Sequence, residues 1–205
     1  MKEIIIKTPR QKRSKLKFSS ILQATARVLA CDGFQKTTTA NIAIEAEVGI
    51  ASVYDYFSCK EALVIALVDN ELKQCLAQVL EKAEQGINAE DSLQALIEEG
   101  IGFAIEQQVL LRTLFIHMPE YIAEINLVQS REAIQAIALQ YAQQHQYAIK
   151  PLNSEQDVNL LLYSLINIVL GFQFRIAIMQ DQSFDKGLVV EQLMVIVRPL
   201  IFIQP

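Results

Sequence analysis

The chain has 205 residues, 18 Lys+Arg against 23 Asp+Glu, a formal net charge of -5 and 52% apolar residues. A mean hydropathy of +0.25 excludes global disorder, and 7 Gly with 5 Pro leave little for the turns of an all-β sandwich or barrel. Long runs rich in Ala, Leu, Ile, Gln and Glu predict an all-α fold.

Charge is divided along the chain. Residues 1–60 carry ten Lys/Arg and five Asp/Glu, whereas residues 61–205 carry eight and eighteen. A basic head on an acidic body is the asymmetry expected when one end meets nucleic acid or an anionic membrane. Lys2, Lys7, Arg10, Lys12, Arg13, Lys15 and Lys17 crowd the first seventeen positions against Glu3 alone, and residues 1–14 read as a basic arm. Cys31, Cys59 and Cys75 are odd in number and lack CxxC spacing, which fits a reducing cytoplasm, and no signal-sequence core precedes them. Residues 158–179 are apolar enough to test as a bilayer span. They contain Asn159, Asn167, Gln173 and Arg175, and an Arg at mid-membrane costs ~2.5–3.5 kcal/mol, so a buried helix and no membrane partner are expected.

In chain order, Phe18, Ile21, Leu22, Thr25, Val28 and Leu29 recur at three and four residues and predict an amphipathic helix over 18–31. Asp32-Gly33 ends it, and the Thr37-Thr38-Thr39 run supplies a hydroxyl cap for a short helix over about 39–46. A third covers about 50–57, and Ser58 caps a long fourth to about Gln85. Helices are expected again at 91–107, 110–118 and 126–146, then, after the Pro151 break, at 154–180 and 184–198, the last stopped by Pro199. Ser154 with Asp157 forms the capping box of the 154–180 helix.

The short pair at 39–57 has a specific pattern. Ile42, Ala43 and Ala46 give its first helix a buried side, and the small Ala43 lets a crossing helix come close. Val48 lies in the turn, while Val53 and Phe57 give the second helix its buried side. Two short helices about a tight turn, packed on a longer one, make a helix-turn-helix whose second helix offers its outer face to a DNA major groove.

Gly33-Phe34-Gln35-Lys36-Thr37-Thr38, Ile42-Ala43, Ala46, Val48, Val53-Tyr54-Asp55-Tyr56-Phe57 and Lys60-Glu61-Ala62-Leu63 together resemble the N-terminal domain of TetR-family transcriptional repressors. Agreement in order and spacing covers about fifty residues; the rest matches in being helical and of the expected length. The organisation expected is a basic arm over 1–14, a helix-turn-helix domain over 15–62 and a helical ligand-binding and dimerisation domain over 63–205. The resemblance implies an operator-binding head. Thr38 or Thr39 at a helix start, the hydroxyls of Tyr54 and Tyr56, and Lys60 would meet phosphates, with Phe57 kept as core. The recognition face would be Gly49, Ile50, Ala51, Ser52 and Asp55.

Two departures stand out. The turn reads Ala46-Glu47-Val48-Gly49 where the family pattern has Ala-Gly-Val-Ser. Either Glu47 adopts the left-handed conformation, at ~1–2 kcal/mol, or the turn shifts the strain to Gly49. The recognition face also lacks Arg, Lys, Asn and Gln for bidentate base contacts, so Lys12 and Arg13 are expected to add preference by reaching a minor groove.

Residues 61–205 hold no P-loop, GxSxG or HExxH, and His117 and His145 are too far apart for a helical metal pair, so neither an enzyme nor a cofactor is expected. The resemblance implies a homodimer through the helices at 154–180 and 184–198, and two-fold symmetry would present paired recognition helices to a palindrome. A small apolar or amphipathic effector would enter a pocket lined by Phe103, Arg112, Phe115, His117, Met118, Tyr121, Tyr163 and Asn167. Taken singly, each of these is more often core or simply exposed than a ligand contact, and His117 in particular is expected to be structural. The competing reading is a helical small-molecule carrier or partner-binding protein whose head has lost DNA binding.

Overall fold

The computed structural model describes residues 4–84, 89–122, 155–179 and 185–201, and these are helical with short connections. In order they form α1 (Lys12–Lys36), α2 (Thr39–Glu45), α3 (Ile50–Tyr54), α4 (Lys60–Glu84), α5 (Ala89–Glu106), α6 (Gln108–His117), a 3-10 turn (Pro119–Tyr121), α7 (Glu155–Met179) and α8 (Lys186–Ile201). The all-α expectation holds. The helix expected at 126–146, the Pro151 break, the Ser154 cap and His145 lie outside the described residues.

Among the boundaries that differ from the sequence reading, three are informative. α1 starts at Lys12 rather than Phe18, because charged residues such as Lys15 and Lys17 continue a helix as readily as apolar ones and only the buried stripe marks a start near Phe18. α3 ends at Tyr54, with Asp55 as its C-cap. α8 continues through Pro199 to Ile201. The proline forfeits a hydrogen bond to the carbonyl of exposed Val195, and only two helical residues follow it.

Two compact units arise: Met1–Glu71 with Val109–Ile125, and Leu72–Gln108 with Asn126–Pro205. In the first, Ile21, Leu29, Ile42, Val53, Phe57 and Leu63 are fully buried, and Ala62–Val68 is buried without a break. Burial of such side chains contributes roughly 1.5–3 kcal/mol each. The break at Gly33 (φ 72°, ψ 166°) turns the chain out of α1, and Thr37 closes that turn by donating from both N–H and Oγ1 to the Gly33 carbonyl. Such a backbone pair is open essentially to glycine alone.

In the second unit α5 packs on α7 and α8, with Ile97, Ile101, Ala177, Leu193 and Val197 inside. Gly100 permits close approach, since a Cβ there would lie 3.3 Å from Val169 Cγ1. The buried Gln173 uses the same gap, its Nε2 donating to the Gly100 carbonyl at 2.9 Å. Among the described residues no helix is long and apolar enough to cross a membrane.

Candidate nucleic-acid interface

The site is built by α2 and α3 on the platform of α1 and α4. Thr38 is the N-cap of α2, its hydroxyl accepting the Asn41 N–H at 3.1 Å. Ile42 and Ala43 face α1 and are buried; Ala46, also buried, caps the C-terminus of α2. An exposed ion pair from Arg27 to Glu45 joins α1 to α2.

The turn between α2 and α3 settles the first departure. Glu47 N–H donates to Ile44 O and Val48 N–H to Ala43 O, each at 3.0 Å, the double bond of a Schellman motif. Its pivot is Glu47 at φ 54°, while Gly49 sits in ordinary extended backbone (φ -65°, ψ 142°). The left-handed position is therefore filled by the glutamate, and the glycine two residues on is not needed for conformation.

α3 turns Val53 wholly inward, and Phe57 just beyond it is likewise buried. Gly49, Ile50, Ala51 and Asp55 are exposed and Ser52 is half-buried, the face expected of a recognition helix. Tyr54 is 51% exposed, and its hydroxyl pairs with Thr39 Oγ1 at 2.9 Å, so two hydroxyls from the two helices stand together at the surface. Tyr56 is half-buried, edge-on to Phe18 at 5.7 Å, and Phe57 packs on Phe18 at 4.8 Å.

Three of the candidate residues have surroundings that the sequence does not announce. Lys60, taken as a phosphate contact, turns its ammonium inward. It donates to Phe34 O at 2.9 Å and Thr37 O at 3.4 Å, and lies 4.1 Å from the Phe34 ring centre. Lys12 and Arg13, expected in the basic arm, stand exposed in the first turn of α1, and the segment before them pairs with residues 56–58. Conversely, Lys17 was not singled out, yet its Nζ donates to Ser52 Oγ at 3.4 Å and brings a cation to the edge of α3. The extension of α1 back to Lys12 is what aims it there.

Of the pocket candidates, Arg112, Phe115, His117, Met118 and Tyr121 belong to the first unit, and Phe103, Tyr163 and Asn167 to the second. Met118 and Tyr121 are buried, Arg112 and Phe115 half-buried. His117 ends α6 stacked on Phe34 (5.3 Å, 17°), a packing role. Phe103 is buried, Asn167 exposed, and the side chain of Tyr163 lies outside the description. A groove of about 360 Å³ along α5 and α8, bordered by Gln94, Glu98, Val190, Glu191, Met194 and Arg198, holds none of these eight.

Residues 21–67 match the family model described as bacterial regulatory proteins, tetR family. A curated relative, the fatty acid metabolism regulator protein of Bacillus subtilis, is 26% identical over 121 residues, 56% of this chain and 62% of the relative, so the match spans less than two thirds of that protein. The fatty acid degradation regulator FadR of Bacillus halodurans superposes with TM-score 0.72 at 18% identity, covering 93% of this chain and 96% of that one. The Bacillus subtilis regulator FadR, solved with stearoyl-CoA, gives TM-score 0.67 at 19% identity over 88% and 97%. A Thermus thermophilus FadR, described as a TetR-family transcriptional repressor and solved with lauroyl-CoA, gives 0.67 at 18% identity over 92% and 96%. These likenesses show a shared all-helical fold. Residues 21–67 thus carry the helix-turn-helix head that the model of the tetR family of bacterial regulatory proteins describes.

Proposed function

We propose that this tetR-family transcriptional regulator represses by binding a palindromic DNA operator as a homodimer and is released by a long-chain fatty acyl thioester. The observation that carries the reading is the outward face of α3, free of the core and flanked by the Thr39–Tyr54 hydroxyl pair and by Lys17. Hydroxyls and a cation at the edges position the helix on phosphates, while Ile50, Ala51 and Ser52 meet base edges and thymine methyls.

The dimer is supported by apolar surface in the second unit. Leu160 and Phe174 of α7, and Leu188, Val195 and Ile196 of α8, are 47–67% exposed. Covering such side chains from water stabilises association, and a two-fold pair reads two half-sites where one five-residue helix alone binds weakly. The effector class is supported by the acyl-CoA complexes of the two FadR structures and by the fatty acid regulator relative. Phe103, Tyr163 and Asn167 are the sequence candidates that fall in the second unit, and they offer the apolar and polar residue types that an amphipathic ligand requires. Release follows from linkage: a ligand that favours the dimer state with the wrong head spacing weakens DNA binding by the factor by which DNA weakens its own.

The deciding experiment selects a random duplex pool at two salt concentrations, with and without a long-chain acyl-CoA. An enriched palindrome with steep salt dependence, lost on adding the acyl-CoA, is expected. No enrichment in either case would overturn the reading in favour of a carrier with a disabled head.

A further inference from the structure

The segment ahead of α1 is held against the head by its backbone. Lys7 N–H donates to Tyr56 O at 2.8 Å and Ser58 N–H to Ile5 O at 3.1 Å. Ile5 N–H in turn donates to Ser58 Oγ at 3.0 Å. Ile6 thus pairs with Phe57 in an isolated antiparallel bridge. What the segment grips is itself anchored, since Phe57 is fully buried against Phe18.

Residues 55–59 are the connection from α3 to α4. With five residues, α3 is too short to be held by its own hydrogen bonds, so its pose depends on how its two ends are fixed. The Schellman turn at Glu47 fixes the entry. At the exit, the Tyr56 and Phe57 amides both return to Val53 O, at 3.1 and 2.9 Å, leaving Tyr56 C=O and Ser58 N–H for a partner outside the helix. Those are the groups that Lys7 and Ile5 take.

We propose that Ile5–Lys7 is a strap that positions the recognition helix, its backbone pairing with Tyr56–Ser58 fixing the exit of α3 and keeping the Lys7 backbone beside Tyr56. The inference rests on the DNA-binding reading of α3. It is opposite in kind to a minor-groove arm: an arm must leave the head to act, whereas a strap acts by staying. Ile5 and Lys7 are exposed, so the pairing does little for the core and most for the geometry of the connection.

The test uses the full chain and two substitutions at one position. Lys7→Pro removes the N–H that Tyr56 O accepts while keeping Ile6 extended, and Lys7→Gln removes the charge alone. Without DNA, hydrogen exchange of the amides at 53–58 is expected to quicken about fivefold in Lys7→Pro and to stay unchanged in Lys7→Gln, the worth of one net hydrogen bond. Affinity for the duplex enriched from the random pool is expected to fall about fivefold further in Lys7→Pro than in Lys7→Gln, with equal salt dependence. Ser58→Ala, which removes the acceptor of Ile5 N–H, should move both readouts in the same direction. Unchanged exchange in Lys7→Pro overturns the strap, as does binding as tight as or tighter than that of Lys7→Gln, the result of a released arm. A pool that yields no enriched duplex defeats the DNA reading, and exchange then decides the strap by itself.

Discussion

Replacing Glu47 by glycine should stabilise the head. Glu47 is the left-handed residue that closes α2, at φ 54°, and both hydrogen bonds of its turn depend on that conformation. A side chain with a Cβ pays ~1–2 kcal/mol there, which glycine does not. Glycine in turn gives the unfolded chain more freedom, at about 0.4–1 kcal/mol. The difference leaves about 0.5–1 kcal/mol in favour of Glu47→Gly. Removing an exposed carboxylate from a helix C-terminus works in the same direction, as a small increment. Glu47→Ala separates the two effects, because it removes the charge and keeps the Cβ; Glu47→Asn should fall between, since asparagine tolerates this conformation best among residues with a side chain. Urea titration read by hydrogen exchange of peptides across 39–57 reports the head independently of the second unit. The expected order of midpoints is Gly, then Asn, then Ala close to wild type. A Glu47→Gly midpoint equal to wild type, or a Glu47→Ala midpoint equal to that of Glu47→Gly, would refute storage of strain at this residue.

Gly49→Ser should add a few tenths of a kcal/mol, roughly the difference between a glycine and a hydroxyl N-cap, because a Cβ at Gly49 meets nothing within 4 Å; the same urea titration checks it. Gly33→Ala should cost about 1–3 kcal/mol through torsion alone, its Cβ also meeting nothing within 4 Å, and a thermal melt that does not move would count against the stated role of its positive φ. Lys17→Gln should reduce the slope of log affinity against log salt by about one, whereas Lys60→Gln should leave the slope alone and lower thermal stability, since the Lys60 ammonium is held by two carbonyls. Burial first, and then the nearby carboxylates Glu99 and Glu106, push the Cys75 thiol from 9.0 up to about 11. Its raised folded value means stability is whole below pH 9 and falls as pH rises toward about 11. Iodoacetamide at pH 8 should accordingly alkylate native Cys75 about a hundredfold more slowly than the urea-unfolded chain, as followed by peptide mass spectrometry.

The head was legible because its signals are short in range. Ile42, Ala43, Ala46, Val53 and Phe57 were read as inward from spacing alone, and each is buried. Tyr54 was read as a surface hydroxyl and Phe57 as core, and so they are. What escaped the sequence depends on contacts between distant positions. Nothing near Lys60 announces that Phe34 and Thr37 offer carbonyls to it, 26 and 23 residues away. That Lys17 meets Ser52 follows only once α1 is known to run back to Lys12 and the fold brings Lys17 beside α3. The association of Val109–Ile125 with the head belongs to the same class, since spacing gives a helix at α6 but not the element it packs on. His117 shows the limit from the other side: its type suggested a structural role, while its partner, the Phe34 ring, came only from the fold.

The two departures in the turn and on α3 bear on one question, where the binding free energy of the proposed DNA complex comes from. A recognition helix with no cation and no amide side chain of its own has little to spend on bidentate base contacts. The structure compensates at its borders. Lys17 arrives from α1, the Thr39–Tyr54 pair offers hydroxyls from either side of the turn, and Lys7 is anchored by its backbone at Tyr56. In the proposed complex, contacts of this kind would go to phosphates and fix register, raising affinity for any duplex and leaving discrimination to Ile50, Ala51 and Ser52 and to the spacing of paired heads. A regulator built this way depends more on holding α3 rigidly than one with strong base contacts, because apolar and single hydroxyl contacts lose their meaning when the helix shifts. That dependence gives the strained Glu47 turn at one end of α3 and the backbone pairing at the other a common purpose.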